Sequence, residues 1–501
     1  MASRALSTWF HPAPSTSLTL AACLLTCSLP ACGDDGGTNI YDEGNDSIDG
    51  PDSGIDSIGD NSADGSTGPK LDFGEDESSA SAEGSAEGGD GACPPPGQVD
   101  ATITGTVYAP NFEIPVSGAL VWASKTKPNG VPQTVYCAEC VELDCVDNPW
   151  TLSNADGTFS LALDSGTWWV AVQKGQFLNI NEVTIGPGST ALGATQTSLP
   201  DRNDPANNRY IPRIAVALGS YDRLEDGLGK LGLGDTIINM NNYSEALIPG
   251  TEQFDMWDNG AGLFNDLDVQ GSFQQLIQNY ALLQQYHIIF VPCSNDAALF
   301  GLNAQARDNL RMWVENGGKY YVSDWSNEFL EDTFPQYQDF FLESGSADLY
   351  GVYDSVGTVL DPELLSWLEA LPPGIKDINP KNGGGGFPTI NNLPLIETVD
   401  NWSGISATPP VMVDDGMGGQ VNVGHKTWVE GPGNYDSVPA GPNPLTISAE
   451  YGCGKLMFTT YHMAEGSDTY IGLTPQELVL LYLILEIGVC QVPYEPPPPV
   501  E

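Results

Sequence analysis

The segment that runs from Tyr286-His-Ile-Ile-Phe-Val-Pro292 to Trp313-Val-Glu-Asn-Gly317-Gly318-Lys-Tyr-Tyr-Val-Ser323-Asp324 gives the clearest indication of the fold class. Its first part, His287–Pro292, is a nearly continuous apolar run, as expected of a strand buried on both faces of a parallel sheet. Between the two parts, Asn303–Asn316 has the periodicity of an amphipathic helix, and Asn303 is placed to cap it. Gly317-Gly318 ends that helix, and Lys319–Ser323 is the next predicted strand. This order predicts an open α/β sheet.

The same alternation extends over residues 208–491, which we predict to be one α/β domain. Strands are predicted at Arg213–Leu218 and Lys455–Tyr461, and helices at Tyr221–Leu233 and Thr474–Val489. Residues 340–445 are expected to form a loop-rich insertion. The glycines of Gly227-Leu-Gly229-Lys-Leu-Gly232 have the spacing of a dinucleotide fingerprint. They lie inside a predicted helix rather than in a strand-to-helix turn, so no cofactor is predicted.

Residues 93–200 have a different pattern, in which short β-type runs are separated by turns. Ile103–Tyr108 and Val116–Trp122 are predicted strands. The turn Asn154-Ala-Asp156-Gly157 and the run Thr158–Leu163 predict a hairpin with the strand before the turn. Several strands at a spacing of about ten residues predict an all-β sandwich. The expected fold class is therefore multidomain, with an all-β sandwich followed by an α/β open-sheet domain.

The β-rich region resembles carboxypeptidase regulatory-like (transthyretin-like) domains. The residues that carry the resemblance occur in the same order here: Ile103-Thr-Gly105-Thr-Val107, Pro115-Val-Ser-Gly118-Ala119-Leu-Val121, Asn154-Ala-Asp156-Gly157-Thr-Phe159 and Gly166-Thr-Trp168. Domains of that family have no catalytic residues of their own. The resemblance therefore implies a structural or binding module.

The α/β region resembles the class I glutamine amidotransferase-like fold, including relatives of the trehalose-utilisation proteins. The resemblance is carried by the opening stretch and by Gly454-Lys-Leu-Met-Phe-Thr-Thr-Tyr-His462-Met-Ala-Glu465. It implies a nucleophilic Cys on a glycine-flanked strand-to-helix turn, activated by a His with a nearby Glu. His462 and Glu465 fit the activating pair. The nucleophile position has neither Cys nor glycines, and Ser323 or Ser326 could replace the thiol.

Two interpretations of the α/β region follow. In one, the protein is an amidotransferase-like hydrolase or amidase that uses His462, Glu465 and Ser323. In the other, His462 is a buried, hydrogen-bonded histidine in a protein with a non-catalytic binding or structural role. We favour the second, because the glycines that would expose a nucleophile are missing.

With Leu29-Pro30-Ala31-Cys32-Gly33 at the end of an apolar run, the N-terminus resembles that of an exported bacterial lipoprotein. A mostly apolar run, Leu18–Leu29, is too short to span a bilayer but has the length of a signal-peptide core. It ends in Leu29-Pro30-Ala31-Cys32-Gly33, which is similar to a lipobox. We predict a signal peptide over residues 1–31 and lipidation of Cys32; an ordinary secreted protein cut near Ala31 is the alternative. The predicted localisation is the cell envelope, with the membrane as a partner through the lipid anchor.

Composition sets the remaining expectations for domains and partners. Residues 32–92 are rich in Gly, Ser, Asp and Glu, so they should be a disordered acidic linker, and residues 492–501 are a Pro-rich tail. A net charge of −49, with 17 Lys and Arg, argues against nucleic acid and anionic lipid surfaces. A glycan or an envelope protein is the expected partner. Trp122, Trp168 and Trp169 could line a carbohydrate platform, or pack into the core.

The cysteines of an exported protein are expected to form disulfides. Cys93, Cys137, Cys140 and Cys145 could form two bridges in any of three pairings. Cys453 and Cys490 could staple the C-terminus, which leaves Cys293 as a buried, unpaired thiol. Cys137-x-x-Cys140 would also suit zinc, but no His lies nearby, so no metal site is predicted.

Overall fold

The structure of the protein is a computed structural model that describes residues 99–138, 143, 145, 147–260, 267–294, 302–342, 351–414, 418–433, 437–463 and 469–486. The predicted signal peptide, acidic linker and Pro-rich tail lie outside these residues. Five predicted site residues also lie outside them: Cys32, Cys93, Cys140, Glu465 and Cys490.

The strands of the described residues are short, and most are bounded by turns. They are β1 Ala101–Thr106, β2 Leu120–Ser124, β3 Trp150–Leu152, β4 Thr158–Leu163, β5 Gly166–Lys174, β6 Phe177–Ile185, β7 Gly188–Ala191, β8 Arg209–Tyr210, β9 Ile214–Leu218, β10 Thr236–Asn239, β11 Ser244–Leu247, β12 Asp255–Asp258, β13 Val269–Ser272, β14 Ile288–Val291, β15 Lys319–Ser323, β16 Asp339–Phe340, β17 Tyr353–Val359, β18 Leu395–Asn401, β19 Ile405–Ala407, β20 Met412–Asp414, β21 Gln420–Asn422, β22 Lys426–Pro432, β23 Pro442–Tyr451 and β24 Gly454–Thr459.

The helices are fewer, and most are only one or two turns long. They are α1 Ala194–Thr197, α2 Leu224–Leu228, α3 Phe273–Ile277, α4 Tyr280–Leu283, α5 Ala304–Glu315, α6 Glu328–Glu331, α7 Pro362–Ala370, α8 Pro373–Lys376 and α9 Pro475–Glu486. Helix α2 continues as a π-helical turn over Gly229–Leu233, and a 3₁₀ turn over Asp324–Ser326 follows β15. Within the described part of the chain, no helix is long and apolar enough to cross a membrane.

A ten-stranded sheet organises the fold, in the order β13-β12-β9-β14-β15-β24-β23-β22-β17-β18. The six strands from β13 to β24 are parallel, and β23, β22, β17 and β18 continue the sheet antiparallel. Strand β14 is buried along its whole length between β9 and β15. Asn303 caps α5 by accepting a hydrogen bond from the N–H of Ala306. The predicted strand–helix–strand unit is therefore confirmed, and the fold is mixed α/β.

The region expected to be a loop-rich insertion supplies much of the antiparallel half of the sheet. Strands β17, β18 and β22 lie within it, and β23 begins at its end. Along β17 the side chains alternate between buried and more exposed positions. The sequence of β17 mixes Asp, Ser, Gly and Thr with its apolar residues, so it does not form the continuous apolar run that identifies a central parallel strand. The sequence analysis missed these strands for this reason.

Strands β1–β8 form two further sheets, β4-β1-β7 and β3-β2-β5-β6-β8. Side chains from both sheets, including Ile103, Leu161, Val121 and Val172, belong to one buried apolar cluster. That cluster continues into α2 and α9, so the β-rich region shares its core with the α/β region. The transthyretin-like assignment of this region stays a prediction.

The predicted hairpin at Asn154–Gly157 is instead a corner between sheets. The turn forms, with the N–H of Gly157 donating to the Asn154 carbonyl over 2.8 Å. However, β3 pairs with β2, and β4 pairs with β1. Gly157 has a φ of +77°, and a Cβ there would lie 2.5 Å from the Val107 carbonyl oxygen. The turn therefore directs the chain from one sheet to the other.

A disulfide between Cys137 and Cys453 joins the β-rich region to the ten-stranded sheet. Nearby, the N–H of Val135 donates to the Gln284 carbonyl over 2.8 Å, and Gly317 has no room for a Cβ against the Tyr136 carbonyl. The expected pairing of Cys453 with Cys490 was wrong, as was the expected pairing of Cys137 with Cys93, Cys140 or Cys145, because the segment before Cys137 packs against the sheet beside Cys453. Cys145 is also disulfide-bonded, whereas Cys293 is free and buried, as predicted.

Candidate functional site

The candidate site lies at the carboxyl edge of the parallel strands. Strand β9 has β12 on one side and β14 on the other, so the chain reverses its direction of winding at β9. Ligands of open α/β sheets bind in the crevice at such a switch point. The loops that follow β9, β14, β15 and β24 bring together four buried residues: Asp222, Cys293, Asp324 and His462.

Cys293, Asp324 and His462 form a compact buried group. One ligand-type atom from each, a sulfur, a carboxylate oxygen and a ring nitrogen, lie within 4.8 Å of one another. The exposed fractions of these residues are 1%, 0% and 1%. His462 Nδ1 is 3.2 Å from Asp324 Oδ2, but the two atoms are not aligned for a hydrogen bond. Neither nitrogen of His462 has a hydrogen-bond partner in the described structure.

Asp222 ties the loops of this group together. Its Oδ2 accepts a 3.1 Å hydrogen bond from Ser323 Oγ, and its Oδ1 accepts one of 3.1 Å from the N–H of Met463. Ser323 Oγ in turn accepts a 3.1 Å hydrogen bond from the N–H of Cys293. The three bonds link the ends of β9, β14, β15 and β24, and so fix the positions of the residues that follow them.

Asp324 stands at a sharp turn between β15 and the 3₁₀ turn, with a left-handed φ of +54°. This conformation is disfavoured for residues other than glycine, although Asp and Asn adopt it most readily. The N–H of Trp402 donates a 2.7 Å hydrogen bond to Asp324 Oδ1. The strained turn is therefore held by a contact with the end of β18 and directs Oδ2 towards His462.

Burial dominates the electrostatics of the group. Burial raises the pKa of Asp324 well above its usual range, and the charge of Asp222 raises this pKa further. The hydrogen bond from the Trp402 N–H acts in the opposite direction and lowers it. Burial, with the neighbouring Asp324, likewise raises the pKa of the Cys293 thiol. Burial lowers the pKa of His462 to about 4. At neutral pH the imidazole is therefore uncharged and keeps a free lone pair.

Three aromatic side chains form a rim beside the buried group. Tyr221, Trp325 and Trp402 have ring centroids 5.9–6.5 Å apart and planes inclined by 14–32°. Tyr221 is 40% exposed, and both Trp side chains are half-buried. The indole nitrogen of Trp402 is buried without a hydrogen-bond partner. We call Tyr221, Trp325 and Trp402 the aromatic rim.

The structure brings the predicted catalytic residues together only partly. His462 is buried, as the non-catalytic interpretation expects, but it is not hydrogen-bonded. Ser323 is fully buried, and its hydroxyl bonds with Asp222 and the Cys293 N–H rather than with His462. Glu465 lies outside the described residues. Sequence reasoning missed Asp222 and Asp324. Asp324 directly follows a predicted strand, which is the signal that could have found it, whereas Asp222 lies inside the predicted helix Tyr221–Leu233.

The predicted carbohydrate platform does not assemble from Trp122, Trp168 and Trp169. Trp168 is buried in the core, with Lys125 Nζ 3.4 Å above its ring. Trp122 and Trp169 pack against a small apolar cluster around Val131. The aromatic rim, which is partly exposed, lies instead at the carboxyl edge of the large sheet.

The glycines of the dinucleotide-like pattern serve packing. A Cβ at Gly227 would lie 2.7 Å from Met463 Cε, and one at Gly232 would lie 2.5 Å from the Asn111 nitrogen. Gly232 also has a φ of +99°. These close contacts explain the glycines without a cofactor.

Comparisons with known proteins place the chain near several solved structures. No protein-family model matches it, and no curated protein matches it. The similar structures include a ThuA-like protein from Bacteroides uniformis, with 14% identity, 56% of this chain and 94% of that chain covered, and a TM-score of 0.28. A ThuA-like protein from Parabacteroides merdae has 9% identity, with 55% of this chain and 87% of that chain covered and a TM-score of 0.29. The cytoplasmic protein STM3548 from Salmonella typhimurium has 11% identity, with 55% of this chain and 98% of that chain covered and a TM-score of 0.27. At these identities and scores the similarity carries no argument about this chain.

Proposed function

We propose that the chain is a lipid-anchored protein of the cell envelope whose α/β region, an amidotransferase-like fold, binds carbohydrate at the carboxyl edge of its large sheet. The observation that carries the proposal is the aromatic rim at the switch point of that sheet. Three roughly parallel rings on separate loops offer apolar faces on which the C–H faces of sugar rings stack. Binding sites of this kind combine aromatic walls with a few polar groups that fix orientation.

The charge of the chain indicates which class of glycan to expect. The net charge of −49 repels polyanionic chains. The expected ligands are therefore neutral glycans rather than sulfated or uronic-acid polymers.

Export and anchoring have independent support. Disulfides such as Cys137–Cys453 persist in oxidising compartments outside the cytoplasm. The lipobox-like segment ending at Cys32 supplies the anchor, and the acidic linker that follows gives the binding region reach from the membrane.

The hydrolase alternative has less support. Ser323 is engaged with Asp222, and the imidazole of His462 is 1% exposed. A nucleophile and its base need to be within hydrogen-bond reach of each other and open to substrate. A binding role therefore explains the arrangement of Ser323 and His462 at the carboxyl edge of the sheet better than catalytic turnover does.

A glycan-binding screen tests the proposal. The mature chain, residues 32–501 with Cys32→Ala to keep it free of lipid, is applied to a glycan array and to insoluble cellulose, chitin and peptidoglycan. We expect retention on at least one neutral glycan, competed by the free sugar. Absence of binding throughout, or binding to polyanionic glycans alone, would contradict the proposal.

A further inference from the structure

We propose that Cys293, Asp324 and His462 form a binding site for a divalent transition-metal ion of the zinc type. This inference does not depend on glycan binding. It differs from the expectation of no metal site. The three residues are far apart in sequence, so no local motif indicates the site.

The donor set suits an ion of the zinc type. The three side chains offer a sulfur, a carboxylate oxygen and a ring nitrogen within 4.8 Å of one another. Zinc is bound by these three ligand types, whereas calcium and magnesium prefer oxygen alone. A thiolate and a carboxylate together carry the two negative charges that neutralise a divalent ion, so the loaded site is electrically balanced inside the protein.

The imidazole of His462 is unsatisfied. His462 is 1% exposed, and neither of its nitrogens has a hydrogen-bond partner in the described structure. Buried polar atoms are nearly always partnered, so an orphaned imidazole points to an ion or a water that completes it. The neighbouring Asp324 Oδ2 is 3.2 Å from Nδ1 without hydrogen-bond geometry. Two ligands of a tetrahedral zinc ion lie about 3.4 Å apart, given metal–ligand distances of about 2.0–2.2 Å.

The surrounding hydrogen bonds hold the three ligands in place. The Trp402 N–H occupies Asp324 Oδ1 and leaves Oδ2 on the side of His462. Ser323 fixes the backbone at Cys293, and Asp222 fixes the backbone at Met463, next to His462. Such outer contacts orient the ligands of metal sites. With three ligands from the described residues, a tetrahedral ion keeps a fourth position, which is the arrangement of zinc ions that bind a small molecule or water.

Metal titration of the mature chain with Cys32→Ala tests the site. The protein is stripped with EDTA, desalted and titrated with CoCl₂ and then ZnCl₂. We expect one Co²⁺ per chain with a thiolate-to-cobalt charge-transfer absorption, because Cys293 is the free cysteine of the described part. Zinc should displace the cobalt and remove the absorption.

Matched variants separate loss of ligands from loss of fold. Cys293→Ala, His462→Ala and Asp324→Asn should each abolish stoichiometric binding, and Asp324→Asn keeps an oxygen for the Trp402 N–H, so it should stay folded by circular dichroism. His425→Gln, which changes a buried histidine hydrogen-bonded to Gln338, should bind the metal normally. Absence of the charge-transfer absorption in the wild type, or its persistence in the folded Asp324→Asn variant, would overturn the proposal.

Discussion

The backbone N–H of Trp402 donates a 2.7 Å hydrogen bond to Asp324 Oδ1, and this contact joins the aromatic rim to the buried group. Asp324 holds a left-handed φ of +54° at the same point. One residue therefore carries the strain of the turn and positions a ring of the rim.

Replacing Asp324 should destabilise the fold according to the side chain introduced. Asp324→Ala should lower the free energy of unfolding by about 2–4 kcal/mol, because it adds left-handed strain and leaves the Trp402 N–H unpaired. Asp324→Asn should cost less, since Asn tolerates this φ and keeps the acceptor. Urea unfolding in the presence of EDTA measures both values. Equal stability of the Ala and Asn variants would show that the turn does not depend on this contact.

Removing the Cys137–Cys453 disulfide should also destabilise the protein. The bond closes a loop with a sequence separation of 316 residues. A Cys137→Ser, Cys453→Ser double variant should lose about 2–5 kcal/mol of unfolding free energy. Thermal unfolding of the variant and of the wild type gives the comparison, and the single variants Cys137→Ser and Cys453→Ser, which break the same bond, should each lose a similar amount. An unchanged unfolding midpoint in the double variant would argue against the bond.

Stability should fall in acid through His287. Its Nδ1 accepts a 2.8 Å hydrogen bond from the Arg213 N–H, and its Nε2 pairs with the Pro132 carbonyl over 3.0 Å. Burial, with the charge of Lys319, lowers the pKa of His287 from 6.5 to about 4. Above about pH 6.5, a histidine with a lowered folded-state pKa makes its full contribution to the free energy of unfolding. This contribution is lost as the pH falls from about 6.5 through about 4.

Unfolding free energies measured between pH 4 and pH 7 check this dependence. Burial also lowers the pKa of His425, to about 3, so part of the slope should remain in a His287→Gln variant. The variant should nevertheless show a shallower slope than the wild type. Identical slopes in the two proteins would mean that His287 is not held neutral.

Membrane attachment should depend on Cys32. Expressed in a bacterial host, the full chain should fractionate with membranes and incorporate a labelled fatty acid, because acyl chains provide the anchor. The Cys32→Ala variant should lose the label and leave the membrane fraction. Label retained by the variant would place the lipid elsewhere, and an unlabelled wild type would favour an ordinary secreted protein.

The parts of the fold that could be predicted are those with strong local patterns. Strand β15 was predicted to its residue bounds because it is apolar between a glycine pair and a polar turn. Strand β17 escaped prediction because only one of its faces is fully buried and its polar residues resemble a loop. The partner of Cys137 depended on how a distant segment packs against the sheet, which local spacing cannot indicate.

The candidate site could be predicted only in pieces. Cys293, Asp324 and His462 each follow a predicted strand, but the parallel register of β14, β15 and β24 is what brings them together. Trp402 follows an antiparallel strand from the region expected to be loops. Its place in the rim therefore depends on tertiary structure, whereas the residues after the parallel strands could have been listed from the sequence.

The most direct test of the carbohydrate-binding account compares two tryptophan variants on the glycans retained by the wild type. Trp402→Ala removes a ring of the aromatic rim, and Trp122→Ala removes a half-buried ring on the five-stranded sheet. Binding constants from fluorescence titration should weaken by about tenfold for Trp402→Ala, the loss expected for one stacking ring, and stay unchanged for Trp122→Ala. Unaltered binding by the Trp402→Ala variant would contradict the account.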